Sequence, residues 1–317
     1  MRKLVLLCAS LCAMAFVVPT SPAHAQVRYW VANYGQDSNN CSETSPCATF
    51  AGAIAKGGAG EIDCLSSGDY GALNTVSITG PITIDCGTGN IGTMELNGGT
   101  SVININTTNP ATIVLRHLSL NGYGSTGTSG INTQNFASGT LIIEDCVIQG
   151  FNVGNHTNGN GISFTPSSGR GLLQVANTLI SGNSTGILVS PSSGQIASVT
   201  LNHVEITANA GEGFTMIGAG VVAGTMSKSI IGENGGSGVF ALSSQVYFTI
   251  KDSSIVDNLS YGILTGAPGV NIGVAATTIS GNGTGVGSGG GSLFSFGNND
   301  MSANATNGTF TSTTALQ

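Results

Sequence analysis

Charge is scarce in this chain. Of 317 residues, 8 are Lys or Arg and 15 are Asp or Glu. No basic stripe exists to neutralise a phosphate backbone or an anionic bilayer, which excludes nucleic acid and anionic membrane as partners. After the N-terminus no apolar run approaches twenty residues, so no membrane span is expected. Tryptophan occurs once, too rarely for a broad stacking platform. A Ser-His-Asp set, zinc-type Cys/His spacing and a phosphate loop are all missing; the glycines of Gly287 to Gly291 read as corner material. Few charges together with many Val and Ile and 49 Gly point to strands and turns, not helices.

What the chain does have is a repeat. Ile180-Ser-Gly-Asn183, Ile206-Thr-Ala-Asn209, Ile231-Gly-Glu-Asn234, Ile255-Val-Asp-Asn258, Ile279-Ser-Gly-Asn282 and Met301-Ser-Ala-Asn304 space their asparagines 26, 25, 24, 24 and 22 residues apart. A unit this short cannot bury its own apolar face, so neighbours must stack on it. Within each repeat, residues alternate with period two on both sides of a two-residue corner. Val199 and Leu201 face inward, Asn202-His203 turn, Val204 and Ile206 resume, and Phe214 and Met216 follow. Three short strands and three corners per repeat predict an all-β, right-handed parallel β-helix of three sheets, because parallel crossovers are right-handed almost without exception. Coils of about 22–32 residues are expected. The recurrent asparagines Asn183, Asn209, Asn234, Asn258, Asn282 and Asn304 are expected at left-handed corners, their amides bonded into an internal ladder. Of the seven Asn-x-Ser/Thr sequons, at Asn106, Asn155, Asn183, Asn258, Asn282, Asn304 and Asn307, four fall on that ladder and read as turn residues, not glycan acceptors.

Residues 1–25 read as a signal peptide: Arg2-Lys3, an apolar stretch from Leu4 to Val18, then Ala23-His24-Ala25 before a cut at Gln26. This predicts a secreted or periplasmic protein, whose mature part carries six basic and fifteen acidic residues, a net charge of about −9. Five cysteines remain. Ile62-Asp63-Cys64 and Ile84-Asp85-Cys86 are the same tripeptide 22 residues apart, so stacking predicts a Cys64–Cys86 disulfide. Cys41–Cys47 closes a small loop, and Cys146, at an inward position, is expected as a buried thiol. Residues 26–70 read as an N-terminal cap segment. Its short helix, started by Ser45-Pro46 and running from Cys47 to Lys56, would cover the open first coil. Residues 71–305 then form the β-helix and 306–317 a polar tail. Nothing here sets an oligomeric state.

Tyr29-Trp-Val-Ala-Asn-Tyr-Gly35-Gln-Asp37, Cys41, then Pro46-Cys47-Ala-Thr49-Phe50 and Ala53, resembles the N-terminal segment of exported pectin-lyase-like β-helix proteins, and the Asn-x-x-x-Gly-Ile phrasing resembles their generic repeat. That resemblance implies the fold and a polysaccharide partner. It does not specify an activity, since the fold hosts many. The Asn-Thr-Asp, Asp-Asp, Gly-His-Gly and Arg-Ile-Lys motifs of its polygalacturonase-type hydrolases do not occur. Its lyases use calcium held by acidic residues, and Asp63 and Asp85, extended by Asn106, could hold Ca²⁺ or simply be exposed side chains. A corner column places Arg116 over Glu144 and His117 over Asp145, with His203 further along. It reads either as acid, base and anion clamp or as rim salt bridges. The insertion Gln149 to Gly161, with His156, could form a lip beside it. Tyr34, Tyr70, Tyr123, Tyr247 and Tyr261 are the candidate sugar-facing rings. Three readings follow: a glycan-binding or surface scaffold without a recognisable active site, a polysaccharide lyase or related carbohydrate-active enzyme, and an adhesive rod.

Overall fold

The computed structural model describes residues 27–71, 75–95, 101–122, 129–152 and 159–314. The signal-peptide region, Tyr123, Asn155 and His156 lie outside them. All ladders between named strands are parallel, and among the described residues they form three sheets. The first sheet has twelve strands, from Val27–Val31 to Ser312–Thr313. The second has ten, from Gly68–Asp69 to Asp300–Ser302, and the third ten, from Val76–Ile78 to Thr306–Gly308. The chain visits first, second and third sheet in turn and then steps one strand along the axis. This is a parallel three-sheet solenoid. Ala59–Cys64 and Gly68–Asp69 already supply strands to it, and Thr306–Gly308 and Ser312–Thr313 still do, so it runs beyond the boundaries expected at 70 and 305.

Alternation places the core. In one coil Val199, Leu201, Val204, Ile206, Phe214 and Met216 are all buried, and each such side chain contributes about 1.5–3 kcal/mol. The same positions stack on their counterparts in the next coil. Leu201 pairs in register with Met226, Ile206 with Ile231 and Phe214 with Val239. Phe214 and Phe248 meet with ring centroids 5.4 Å apart.

The corner between first and second sheets turns on one left-handed residue per coil. His117, Asp145, Asn177, His203, Lys228, Asp252 and Ala276 have φ between 46° and 54°. At the corner between second and third sheets, the left-handed residue is not the asparagine expected there but the one before it: Gly182, Ala208, Glu233, Asp257, Gly281 or Ala303. That twist aims the asparagine inward. Asn183, Asn209, Asn234, Asn258 and Asn282 are buried. Their Nδ2 atoms donate to the next asparagine's Oδ1 at 3.0, 2.9, 2.8, 2.9 and 2.9 Å, ending on half-buried Asn304. The glycine after them is needed for close approach: a Cβ on Gly213 would lie 2.6 Å from Ile231 Cγ2 and 2.8 Å from Gly238 O.

The helix is shorter than expected, Phe50–Ala55, and is capped by Thr49, whose Oγ1 accepts from Gly52 N at 2.9 Å. Ser45-Pro46 does not start it, because Cys47 is held extended. Cys47 N donates to Trp30 O and its carbonyl accepts from Ala32 N, while its sulfur is bonded to Cys41 with Cα atoms 4.7 Å apart. The Cys64–Cys86 disulfide joins adjacent strands of the first sheet, Cα atoms 4.4 Å apart. Cys146 is free and buried. Among the described residues no helix is long and apolar enough to cross a membrane.

Candidate functional site

The last outward position of each first-sheet strand lies beside the first corner, and register threads these positions into one row. Trp30 neighbours Asp63, Asp63 neighbours Asp85, Asp85 neighbours Arg116, and Arg116 neighbours Glu144. The aspartate pair and the Arg/His/Glu/Asp corner, which the sequence presents as two separate constellations, are therefore one cluster. Asn106 is not part of it. It sits in Ser101–Thr107 of the third sheet and accepts from Asn135 Nδ2 at 3.4 Å. The reason is coil length: Asp85 to Arg116 takes 31 residues, not 22, so a count of 21 from Asp85 ends on a different sheet.

Within the cluster, Asp85 Oδ1 is 2.7 Å from His117 Nδ1 and also accepts from Gly87 N at 2.7 Å. His117 Nε2 lies 4.0 Å from Asp145 Oδ2. Arg116 Nε donates to Glu144 Oε2 at 2.6 Å, and its Nη1 is 4.0 Å from Asp85 Oδ2. Arg28, missed by sequence reading, donates to Glu61 Oε2 at 2.7 Å and lies 3.3 Å from Asp63 Oδ2. Burial, then the charge of Glu61, push the Asp63 carboxyl above its ordinary range despite Arg28. His203 is not in the cluster: it stands two corners beyond Asp145 and its Nδ1 faces Asn202 Oδ1. The Gln149 to Gly161 insertion does not border it at either described end. Phe151 and Gly159 both accept from Ser184 N at the asparagine corner, across the second sheet.

Two clefts flank the cluster. One, of about 430 Å³, is lined by Arg28, Trp30, Asp63, Asp85, Thr88 and Asn90. The other, of about 580 Å³, is lined by Asn90, Ile91, Thr93, His117, Ser119 and Asp145. Asn90 borders both and is anchored by donation to Cys64 O at 3.2 Å. Trp30, half-buried, is the ring at the site. Of the tyrosines named from sequence, Tyr70 is fully buried, while Tyr34 and Tyr247 are exposed away from these clefts. As for a metal, among the described residues no group of three or more His, Cys, Asp or Glu is placed to hold one. Guanidinium groups occupy both flanks of the Asp63–Asp85 pair.

No protein-family model matches this chain, and no curated protein matches it. Solved structures do. A pectate lyase superposes with a TM-score of 0.53 at 15% identity, covering 91% of this chain and 78% of that one. A rhamnogalacturonan lyase matches with a TM-score of 0.44 at 13% identity, covering 84% and 75%. The A-module of a mannuronan C-5 epimerase from Azotobacter vinelandii matches with 0.42 at 16%, covering 84% and 94%. The pectate lyase likeness shows the fold, a parallel three-sheet β-helix, which is an architecture and not a reaction.

Proposed function

We propose that this is an exported carbohydrate-binding β-helix whose saccharide site is the corner cluster around Asp85 and His117. Residues 1–25 are the leader, and the segment with the Phe50–Ala55 helix caps the first coil. The observation that carries the reading is the meeting of Trp30, two arginines, a histidine and five carboxylates with two adjoining clefts. Carboxylates and guanidiniums recognise sugar hydroxyls by charge-assisted hydrogen bonds, and a half-buried indole supplies the apolar face a pyranose stacks on. The two disulfides suit an oxidising compartment. The pectate lyase likeness supports a polysaccharide partner by analogy of fold alone. The experiment is isothermal titration of residues 26–317 against a polysaccharide panel, with Trp30→Ala as control. Binding that survives Trp30→Ala unchanged would remove this corner as the site.

The enzymatic reading has one observation in its favour: Asp85 orients His117 as an acceptor orients a general base, with Nε2 4.0 Å from Asp145 and both residues lining the larger cleft. Product release that disappears in His117→Ala and falls at least about 100-fold in Asp85→Asn would establish it. Retention of polysaccharide without turnover leaves a binding protein, and neither outcome leaves the rod.

A further inference from the structure

Resting on the saccharide reading of the corner cluster, we infer that this site takes sugars that carry no carboxylate and rejects uronic-acid chains. Five carboxylates stand here, Glu61, Asp63, Asp85, Glu144 and Asp145, against two guanidiniums and one imidazole. Both guanidiniums are already paired with carboxylates of the cluster, so an incoming acid competes with charges in place. Arg28 spends Nε and Nη2 on Glu61, at 3.0 and 2.7 Å, and turns Nη1 to Asp63. Arg116 donates Nε to Glu144, and its Nη1 lies 4.0 Å from Asp85 Oδ2, close enough for charge attraction without a hydrogen bond. His117 has its Nδ1 bound to Asp85, and its other nitrogen faces a further carboxylate, Asp145.

The smaller cleft is lined by two carboxylates, Asp63 and Asp85, against one guanidinium, Arg28. Burial first, then the charge of Glu61, raise the Asp63 carboxyl despite Arg28 beside it, with Asp85 adding a smaller push in the same direction. A second negative ligand entering there adds like charge to a partly desolvated site, where Coulomb repulsion is weakly screened. Hydroxyl donors meet the opposite situation: carboxylate oxygens are acceptors only. Asp145, nearly half exposed and with its one ion-pair contact at 4.0 Å, has acceptor capacity to offer.

The test uses residues 26–317 in EDTA at low salt. Cellohexaose, mannohexaose and xylohexaose form the neutral arm, hexagalacturonate the acidic arm and a chitosan hexamer at pH 6 the amine-bearing arm. The expected result is that the best neutral hexamer binds at least roughly tenfold tighter than hexagalacturonate, and that the chitosan hexamer binds no worse than the neutral one. Asp145→Asn keeps a residue type that tolerates the left-handed corner. It narrows the neutral-over-acidic preference about two- to fivefold. Hexagalacturonate binding as tightly as the neutral chains, or a preference unchanged by Asp145→Asn, overturns the inference while leaving the site in place. Failure of every arm overturns the saccharide reading itself, and the inference with it.

Discussion

Asn234 is buried and makes six hydrogen bonds, one of them through its carbonyl, which accepts from Leu259 N at 2.9 Å. Its Oδ1 accepts from Asn209 N and Nδ2, at 3.1 and 2.9 Å. Its Nδ2 donates to Asn258 Oδ1 at 2.8 Å and Ile206 O at 3.2 Å, and its own N–H reaches Asn258 Oδ1 at 3.3 Å. Only a side chain with donor and acceptor at equal reach fits. Asn234→Ala is expected to cost about 1–3 kcal/mol through the neighbours left unpaired; Asn234→Asp, which also buries a carboxylate, is expected to cost more. Urea unfolding of both variants checks this. Cys146 makes a prediction in pH. Burial pushes its thiol up to about 12, whereas a thiol in the unfolded chain ionises near about 8.5. Between those values the unfolded chain has lost a proton that the folded chain keeps. The stability contribution is complete below the lower value and is lost as pH rises toward the higher one, at about 1.4 kcal/mol per pH unit. Unfolding free energies from pH 8 to 11 should therefore fall more steeply for the wild type than for Cys146→Ala. Native Cys146 should also resist alkylation that proceeds readily in denaturant.

At the scale of elements, the two disulfides act where the solenoid begins. Cys64 and Cys86, 22 residues apart, tie neighbouring strands of the first sheet. Replacing both by Ala should remove about 3 kcal/mol, read as a lower denaturant midpoint with an altered first coil and intact central coils. That pairing was legible because a tripeptide repeats with the period of the coil. The corners and the inward rows were legible for the same reason: alternation with period two survives any change of loop length. Asn106 falls on another sheet because the spacing that stacks Cys64 on Cys86 does not stay constant along the chain. From Asp85 onward the coils take 31, 28 and 32 residues before settling to 26, 25, 24 and 24. The helix start was misread because Pro46 mimics a first helical residue, while the disulfide at Cys47 and the backbone bonds to Trp30 and Ala32 decide the conformation. The site itself was half legible. Arg116, His117, Glu144 and Asp145 could be stacked on paper. The contributions of Arg28 and Trp30 depend on how the first strand docks beside Ala59–Cys64, a long-range pairing that carries no sequence period, while Asn90 enters through its bond to Cys64 O. A second ladder went unseen. Ser229 Oγ accepts from Val204 N at 3.1 Å and Ser253 Oγ from Ser229 N at 3.2 Å, and serines at this position look like ordinary turn residues.

For the molecule as a whole, each coil touches only its neighbours, so stability is a sum of local terms and interfaces. Amide exchange should be slowest in the seven-residue first-sheet strands Arg170–Ala176, Ile196–Asn202, Val221–Ser227 and Gln245–Lys251. It should quicken toward Ser312–Thr313, which is paired on one side only. Uniform protection along the axis would contradict this. The asparagine ladder has a consequence for how such a protein can change size. From Asn234 to Asn258 is one complete period. Excising that period brings Asn234 onto Asn282 with every inward side chain still inward, whereas removing a single strand residue reverses the faces of all that follow until the next turn. Growth and shrinkage are thus quantised: the molecule can lengthen or shorten by whole storeys, and intermediate lengths must be absorbed in the corners.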